Sequence, residues 1–194
     1  WYSPGQPILW WSPDPRLILF PERVKVSRSL RKTLRKGQFS ITLDTDFPAV
    51  IAACAAPRTP GTGTWITADM DRAYCRLHRL NHAHSVEVRH EGHLVGGLYG
   101  VAIGRIFYGE SMFSVMSDAS KVALVFLAAQ LKRWEFAAID CQMRTDHMLR
   151  MGGVEIPRAL FLKLLQASCS LPGRTGLWQF DTDLLTDLLS PSLP

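Results

Sequence analysis

Three strand-like segments in the middle of this sequence limit the folds it can adopt more than any other feature. "HSVEVRH" (84–90) alternates apolar and polar residues and is followed, after a turn signal, by "HLVGGLYGVAIG" (93–104). "RIFYGE" (105–110) predicts a third strand, and Gly109 is expected to break that run. Strands that follow one another through short turns pair in antiparallel order, so this part of the chain predicts a β-meander.

The segments after the meander predict the rest of the fold. "KVALVFLAAQLKRW" (121–134) is apolar nearly all round, which predicts a buried helix. "FAAIDCQM" (136–143) predicts a buried strand, and "EIPRALFLKLLQAS" (155–168) predicts a helix with a proline in its first turn. This order predicts an α+β fold with a mostly antiparallel central sheet flanked by helices.

A basic segment precedes the meander. "RSLRKTLRKG" (28–37) predicts a short helix that ends at its glycine and buries Leu30 and Leu34 on one side. The basic side chains share the other face of that helix: Arg28, Arg31, Lys32 and Arg35. Such a face is usually only solvated, but its like charges repel one another, and a phosphate backbone would relieve the repulsion. Both interpretations stay open on these features.

The amino-acid composition limits the classes of protein to which this chain can belong. Hydrophobic residues make up 47% of 194 residues, which is enough for a sizeable core. The net charge of +5 permits an anionic partner but does not demand one. The four cysteines lack the spacing of a zinc knuckle or a disulfide framework, which favours a reducing compartment. No apolar run approaches the length of a membrane span, so no membrane partner is predicted.

One acidic residue, Asp140, lies within the apolar strand "AAIDCQM". A buried carboxylate needs a partner, or its pKa rises. Gln142 is two residues further on, so both side chains leave the same face of the strand, and Glu110 can share their space. Asp140 is therefore either the structural partner of an arginine or backbone group, or a member of a functional pair with Gln142.

Other patterns give weaker signals. His78, His82 and His84 lack the HExxH context or cysteine partners of a metal site, so no metal is predicted. "GGLYG" (96–100) is not a phosphate-binding loop, because no GK[ST] follows it. No G-x-S-x-G sequence marks a serine nucleophile.

A set of motifs in order and spacing resembles the bacterial leucyl/phenylalanyl-tRNA–protein transferases. They are "WYSPGQPILWWSPDPR", "GTWIT", "HAHSVEV", "LVGGLYGV", "GESMFS", "DASK", "IDCQ", "DH" and "EIPR". The resemblance runs from Trp1 to about Trp178. It implies a GNAT-like transferase domain at 15–194, preceded by a remnant of a small N-terminal domain at 1–14, because the family portion ahead of "WYSPG" is absent from this sequence.

The resemblance also implies an activity. Members of the family move Leu, Phe and, less well, Met from aminoacyl-tRNA onto proteins with an N-terminal Arg or Lys. The product is marked for degradation by the bacterial N-degron pathway. The expected partners are therefore Leu-tRNA, Phe-tRNA and such proteins, and the enzyme is expected to be a cytoplasmic monomer that uses no metal, no acetyl-CoA and no other cofactor.

Site residues follow from the resemblance by position. The implied catalytic residues are Asp140 and Gln142. The implied aminoacyl pocket consists of Leu98, Phe107, Glu110, Met112, Leu124 and Ile139. The terminal adenosine is expected at Trp1 and Trp65, and the tRNA acceptor stem at Arg28, Lys32 and Arg35.

Two other classes of function stay open. One is an acyl-CoA-dependent N-acetyltransferase on the same type of sheet, although the sequence has no Q/R-x-x-G-x-G/A pyrophosphate loop. The other is a non-catalytic RNA-binding fragment, which the basic helix would suit.

Overall fold

A seven-stranded mixed sheet forms the centre of the computed structural model, which describes residues 10–57 and 64–189. In chain order the strands are β1 (Arg16–Leu19), β2 (Ser40–Leu43), β3 (Ala83–His90), β4 (His93–Ile103), β5 (Ile106–Ser114), β6 (Ala138–Gln142) and β7 (Val154–Ile156). The α-helices are α1 (Arg28–Arg35), α2 (Phe47–Ala55), α3 (Ala68–Arg79), α4 (Ala119–Arg133), α5 (Asp146–Arg150), α6 (Arg158–Ser168) and α7 (Leu184–Leu189), and a 3-10 helix covers Pro21–Arg23.

The strands lie in the order β2-β3-β4-β5-β6-β1-β7 across the sheet. Every neighbouring pair is antiparallel except β5 and β6, which are parallel. A parallel pair needs a long crossover connection, and helix α4 supplies it. The predicted α+β class, with a mostly antiparallel central sheet flanked by helices, is confirmed.

Helices cover both faces of the sheet. On β4, the backbone of Gly96 faces Ala119 at the start of α4, whereas the next residue, Gly97, faces Val50 of α2 on the opposite side. Helix α4 is buried along almost its whole length, as its apolar sequence predicts. Helix α3 packs beside α2, and Trp178 from the C-terminal segment completes the core on the α4 side.

Most of the elements predicted from periodicity are present. Helix α1 begins after the N-cap Ser27, which accepts a hydrogen bond from the Leu30 N–H, and the chain leaves it through Gly37 at a φ of 61°. Leu30 and Leu34 are buried, as expected. The meander is formed by β3, β4 and β5, and the predicted helix and strand after it are α4 and β6.

Two predictions about element boundaries were wrong. Strand β5 does not break at Gly109 but continues to Ser114, because its second half keeps pairing with β4. The helix predicted at 155–168 begins only at Arg158, because Val154–Ile156 pairs with β1 as strand β7. That pairing was not predicted because its partners are distant in sequence, and the short helix α5, which begins after the N-cap Thr145, was not predicted either.

Two further expectations concern the whole chain. Residues 1–9 lie outside the described ranges, so the domain division at residue 14 stays a prediction. Across the described ranges, no helix is long and apolar enough to cross a membrane.

The close approach of β4 and α4 predicts the effect of one substitution. In Gly96→Ala the new Cβ would lie 2.5 Å from the Cβ of Ala119 and 3.0 Å from its carbonyl carbon, so the strand or the helix must move. We expect a loss of about 1–3 kcal/mol in the free energy of unfolding, measured by urea denaturation.

Gly109→Ala is the matched control for that substitution. A Cβ at Gly109 would meet its nearest neighbours at 3.6 Å and 3.7 Å, which is ordinary contact. Its free energy of unfolding should stay within about 1 kcal/mol of the wild-type value. Equal losses in the two variants would contradict the argument.

Candidate active site

The candidate site lies where strands β5 and β6 separate. The two strands pair only from Ile106 to Tyr108 on β5 and from Ala138 to Asp140 on β6. Beyond that point β5 continues along β4 to Ser114, on the other side from β6. A cavity of about 740 Å³ is lined by both strands beyond their separation. Its volume lies within the range of roughly 300–1,000 Å³ that is usual for ligand sites.

Glu110 owes its orientation to a β-bulge. In the pairing of β4 with β5, Tyr99 lies opposite Ser111 and Gly100 lies opposite Gly109, so Glu110 is the extra residue between them. A bulge re-aims one side chain and bends its strand, and it leaves the rest of the pairing intact. This is why the strand continues through a glycine at which the sequence predicted a break, and why a carboxylate lines a cavity whose walls are mainly apolar.

The walls of the cavity are mainly apolar. All six residues predicted for the aminoacyl pocket line it: Leu98, Phe107, Glu110, Met112, Leu124 and Ile139. Trp65 and Gln142 line it as well. Leu98, Phe107, Leu124 and Ile139 are almost completely buried, and Met112 is partly buried. Trp1, the other predicted adenosine contact, lies outside the described residues.

Aromatic rings from helix α3 and strand β4 surround the carboxylate of Glu110. Burial raises the pKa of Glu110, and the nearby Asp140 adds to that effect, whereas a hydrogen bond donated by the Tyr74 hydroxyl opposes it. The ring of Tyr74 contacts those of Trp65 and Tyr99 edge to face, at centroid distances of 6.4 Å and 5.1 Å. The cavity therefore combines apolar and aromatic surface with a single carboxylate at its bulge.

Gln142 lies at the other edge of the cavity, at the end of β6. Its backbone has a φ of 56°, in the left-handed region that non-glycine residues seldom adopt. The Gln142 backbone N–H donates to Oδ1 of Asp140 at 3.0 Å, and its side-chain Nε2 donates to the Asp140 carbonyl oxygen at 3.1 Å. Asp140 thus holds both the backbone and the amide of Gln142 in one position.

The carboxylate of Asp140 is itself fully buried and paired with Arg16 of β1. Arg16 donates from Nε to Oδ1 at 2.9 Å and from Nη2 to Oδ2 at 2.6 Å, a bidentate arrangement. The Arg16 guanidinium also lies 4.8 Å from the centroid of the Phe161 ring. Both oxygens of Asp140 are therefore occupied, and Asp140 is not among the residues that line the cavity.

Arg16 is a residue that sequence reasoning missed. The two partners are 124 residues apart, so no local pattern links them. One signal was present: an arginine at the start of the apolar run "RLIL" (16–19) is as unusual as an aspartate in a buried strand, and two such residues of opposite charge suit each other. Asp140 is thus paired with an arginine, as its structural interpretation predicted, and its part in catalysis stays a prediction.

Helix α1, which carries the predicted basic face, is linked to the start of helix α4. Arg28, Lys32 and Arg35 are all exposed. The hydroxyl of Thr33, also on α1, donates to Oδ2 of Asp118 at 3.1 Å, immediately before the first turn of α4. Ser120, in that turn, lines the cavity. Helix α1 is therefore linked through Asp118 to the helix that lines the cavity, and none of the predicted tRNA-binding residues lines the cavity itself.

Metal and thiol chemistry have little support in the described residues. Within them, no three His, Cys, Asp or Glu side chains come together in a way that could hold a metal ion. None of the four cysteines, all of which lie in the described residues, forms a disulfide bond. Cys141 lines the cavity, but burial raises the pKa of its thiol to about 12, so it stays protonated and is a poor nucleophile. What the cavity offers is an apolar slot, an orienting amide and one carboxylate.

Comparison with known sequences identifies relatives. Residues 18–166 match the profile of the family described as Leucyl/phenylalanyl-tRNA protein transferase. The leucyl/phenylalanyl-tRNA–protein transferase of Nitrosomonas europaea is 56% identical over 181 residues, which is 93% of this chain and 77% of the relative. The proteins of the same name from Aromatoleum aromaticum and Pseudomonas putida strain W619 are 63% and 61% identical, over 83% and 85% of this chain and 68% and 73% of theirs.

Solved structures resemble the chain only distantly. L-PGS from Bacillus licheniformis has a TM-score of 0.45 at 9% identity, over 91% of this chain and 63% of that chain. A GCN5-related N-acetyltransferase from Kribbella flavida has a TM-score of 0.37 at 13% identity, over 74% of this chain and 55% of its own. Both scores are low, so neither structure carries an argument about fold or function.

The buried pair of Arg16 and Asp140 predicts a non-additive effect on stability. Arg16→Met or Asp140→Leu alone leaves one buried charge unpaired, and each should lower the free energy of unfolding by about 3–5 kcal/mol. The double variant removes both charges and should lose less than either single variant, measured by urea denaturation.

Arg72→Met is the matched control for Arg16→Met. Arg72 forms an exposed ion pair with Asp69, so its loss should cost less than about 1 kcal/mol. Additive losses in the Arg16–Asp140 cycle would mean that the two side chains do not interact.

The raised pKa of Glu110 predicts how the free energy of unfolding changes with pH. Because burial raises its pKa, the folded protein holds this proton more tightly than the unfolded chain does. Stability from this group is therefore greatest at acid pH and is lost as the pH rises from the ordinary carboxylate pKa through the raised value. We expect Glu110→Gln to be more stable than the wild type at neutral pH, with a difference that shrinks as the pH falls towards about 4.3. Urea denaturation across this pH range is the measurement, and a difference that grows towards acid pH would contradict the argument.

Proposed function

This chain belongs to the leucyl/phenylalanyl-tRNA protein transferase family, and from that premise we propose that it moves Leu, Phe and, less well, Met from aminoacyl-tRNA onto proteins that begin with Arg or Lys. It is an enzyme, an aminoacyltransferase whose substrates are aminoacyl-tRNA and protein. The observation that carries the more specific proposal is the cavity between β5 and β6, which joins an apolar slot to the amide of Gln142.

The apolar part of the cavity suits the side chain of the transferred amino acid. Leu, Phe and Met are all long and unbranched at Cβ, so a deep apolar slot can accept each of them. Leu124 and Ile139 supply rigid walls, and Met112 has a flexible thioether side chain that can adapt to side chains of different shape. The apolar walls of the slot offer no hydrogen-bonding group, so a charged or strongly polar side chain packed against them would lose its hydration and be disfavoured.

The polar part of the cavity suits the adenosine ester. In the proposal, the terminal adenine stacks on Trp65, together with Trp1, which lies outside the described residues. Glu110 holds the polar end of the aminoacyl group or its ribose. A carboxylate close to aromatic rings is suited to either role, because it can accept hydrogen bonds from hydroxyl or ammonium groups at the edge of an apolar surface.

The reaction is the aminolysis of an ester. The amino group of the acceptor protein attacks the ester carbonyl carbon, an amide bond forms, and the bond to the ribose oxygen breaks. The nitrogen loses one proton and the ribose hydroxyl gains one, so the step is balanced without a cofactor. A protein α-amino group has an ordinary pKa of about 7.7–8.0, so part of it is already the neutral nucleophile at cellular pH. The enzyme's main contribution is then to hold the two reactants in position.

Gln142 and Asp140 have different parts in this scheme. Gln142 lines the cavity, and we propose that its amide orients the attacking amine beside the ester carbonyl. Asp140 is buried and paired with Arg16, so we propose that it acts through Gln142, whose backbone and amide it holds. A left-handed backbone at a cavity-lining residue supports this assignment, because strained conformations persist where surrounding contacts maintain them.

The remaining parts of the proposal concern the tRNA and the cell. Arg28, Lys32 and Arg35 are exposed on α1 and would contact the phosphates of the acceptor stem. Charged tRNA and unprotected protein N-termini meet in the bacterial cytoplasm, where we propose that the enzyme acts as a monomer and marks proteins for the N-degron pathway.

A transfer assay tests the proposed function. The protein is mixed with Phe-tRNA labelled on phenylalanine and with a peptide that begins with Arg, and in parallel with the same peptide beginning with Gly. We expect label to appear on the Arg peptide alone, because only a cationic N-terminal residue is accepted. Leu-tRNA should behave in the same way, and a tRNA charged with a polar amino acid should not.

The other outcomes separate the competing functions. Salt-sensitive binding of Phe-tRNA without transfer would indicate a non-catalytic RNA-binding protein. Acetylation of the peptide from acetyl-CoA, without transfer from Phe-tRNA, would indicate an N-acetyltransferase. Equal labelling of the two peptides would contradict the proposed acceptor specificity.

A further inference from the structure

A second group of basic side chains lies at the edge of the cavity, apart from helix α1. It consists of Lys121 in the first turn of α4 and of His147 and Arg150 on α5, and we call it the cationic rim. His147 lines the cavity, and Arg150, three residues further on, lies on the same side of that short helix. Lys121 follows Ser120, which also lines the cavity.

His147 has an unused hydrogen-bonding atom. Its Nε2 is buried and has no hydrogen-bond partner among the described residues. Burial lowers the pKa of His147, and the charges of Lys121 and Arg150 lower it further, so the imidazole is neutral at cellular pH and can donate or accept one hydrogen bond. A buried polar atom without a partner is unfavourable, and a ligand in the cavity could supply the missing hydrogen bond.

The rim connects the basic face of α1 with the cavity. Asp118 accepts a hydrogen bond from Thr33 of α1 and also pairs with Lys121, whose Nζ lies 2.7 Å from its Oδ1. Lys121 stays 41% exposed, so it keeps donors for another partner. Among the neighbouring acids, Asp118 is already paired with Lys121, and Asp146 lies in the first turn of α5. The cations of α1 and of the rim outnumber these two acids.

We propose that the cationic rim binds the phosphates of the single-stranded 3′ end of the tRNA, between the acceptor stem on α1 and the terminal adenosine in the cavity. This inference rests on the proposed function, which places the aminoacylated adenosine in the cavity. The nucleotides before that adenosine must then leave the cavity along its edge. Lys121 and Arg150 neutralise the phosphates of these nucleotides, and Nε2 of His147 forms a hydrogen bond with the terminal nucleotide.

Binding through phosphates would also allow the enzyme to accept more than one tRNA. Contacts to the backbone fix the position of a nucleic acid but carry no information about its bases. A rim that reads phosphates alone would accept tRNAs of different sequence, and the choice among them would be left to the aminoacyl slot.

The test compares two donors and three variants. The donors are Phe-tRNA and the phenylalanyl ester of adenosine, which carries no phosphate. The variants are Lys121→Ala, Arg150→Ala and the control Lys132→Ala, which removes the same charge from an exposed position at the far end of α4. We expect the first two to lower the ratio of kcat/KM for Phe-tRNA over that for the short ester by ~3–10-fold each, and the control to leave it unchanged.

Direct binding makes the result independent of catalysis. Fluorescence anisotropy with a labelled tRNA acceptor-stem hairpin ending in its single-stranded tail gives the affinity at several salt concentrations. Each rim variant should reduce the slope of log K against log salt by ~0.7, the value for one contact to a single strand. Removing the single-stranded tail from the hairpin should abolish the difference between the variants and the wild type.

The two proposals fail in different ways. If the wild type transfers from neither donor, the proposed function fails, and the salt slopes alone decide about the rim. Transfer by the wild type with unchanged ratios and slopes in Lys121→Ala and Arg150→Ala would overturn the rim and leave the proposed function intact. Loss of tail-dependent binding in His147→Ala, restored in His147→Gln, would support the role given to Nε2.

Discussion

The ion pair between Arg16 and Asp140 joins the first described strand to the strand that carries Gln142. Both carboxylate oxygens accept from the guanidinium, and one of them also accepts from the Gln142 backbone. Burying two charges is unfavourable unless their geometry and remaining hydrogen bonds compensate, so this arrangement has little tolerance for movement. The end of β6 is therefore fixed in space, and with it the amide that faces the cavity.

The cavity itself results from how strands β5 and β6 diverge. They pair over three residues, after which β5 follows β4 and bends at the bulge of Glu110. A continuous sheet would leave no room for a substrate, whereas two separating strands expose the inner faces of their side chains. Helix α4 closes the gap from one side with Leu124 and Leu127, and Trp65 lines it near α3. In the proposed function, the aminoacyl slot and the position of Gln142 therefore depend on this divergence and on the bulge.

Charge is distributed to match a substrate that is anionic at one end and apolar at the other. The cations of α1 and of the rim are near the surface, the interior of the cavity is apolar, and its single acid, Glu110, lies among aromatic rings. An aminoacyl-tRNA has the same order of properties along its length, from phosphates through adenosine to the amino acid side chain. This correspondence is the physical basis of the proposed function, beyond the membership of the family.

The sequence by itself determined the features that depend on neighbouring residues. The charged and apolar faces of α1, the meander and the buried helix α4 follow from periodicity. The family resemblance led to six residues that line one cavity, and their role in binding the aminoacyl group stays a prediction. Only the tertiary structure decided that Arg16 is the partner of Asp140, that Glu110 is a bulge residue and that Val154–Ile156 is a strand. These three features depend on the register between segments far apart in the chain, and register is set by the packing of the whole sheet, which no local pattern records.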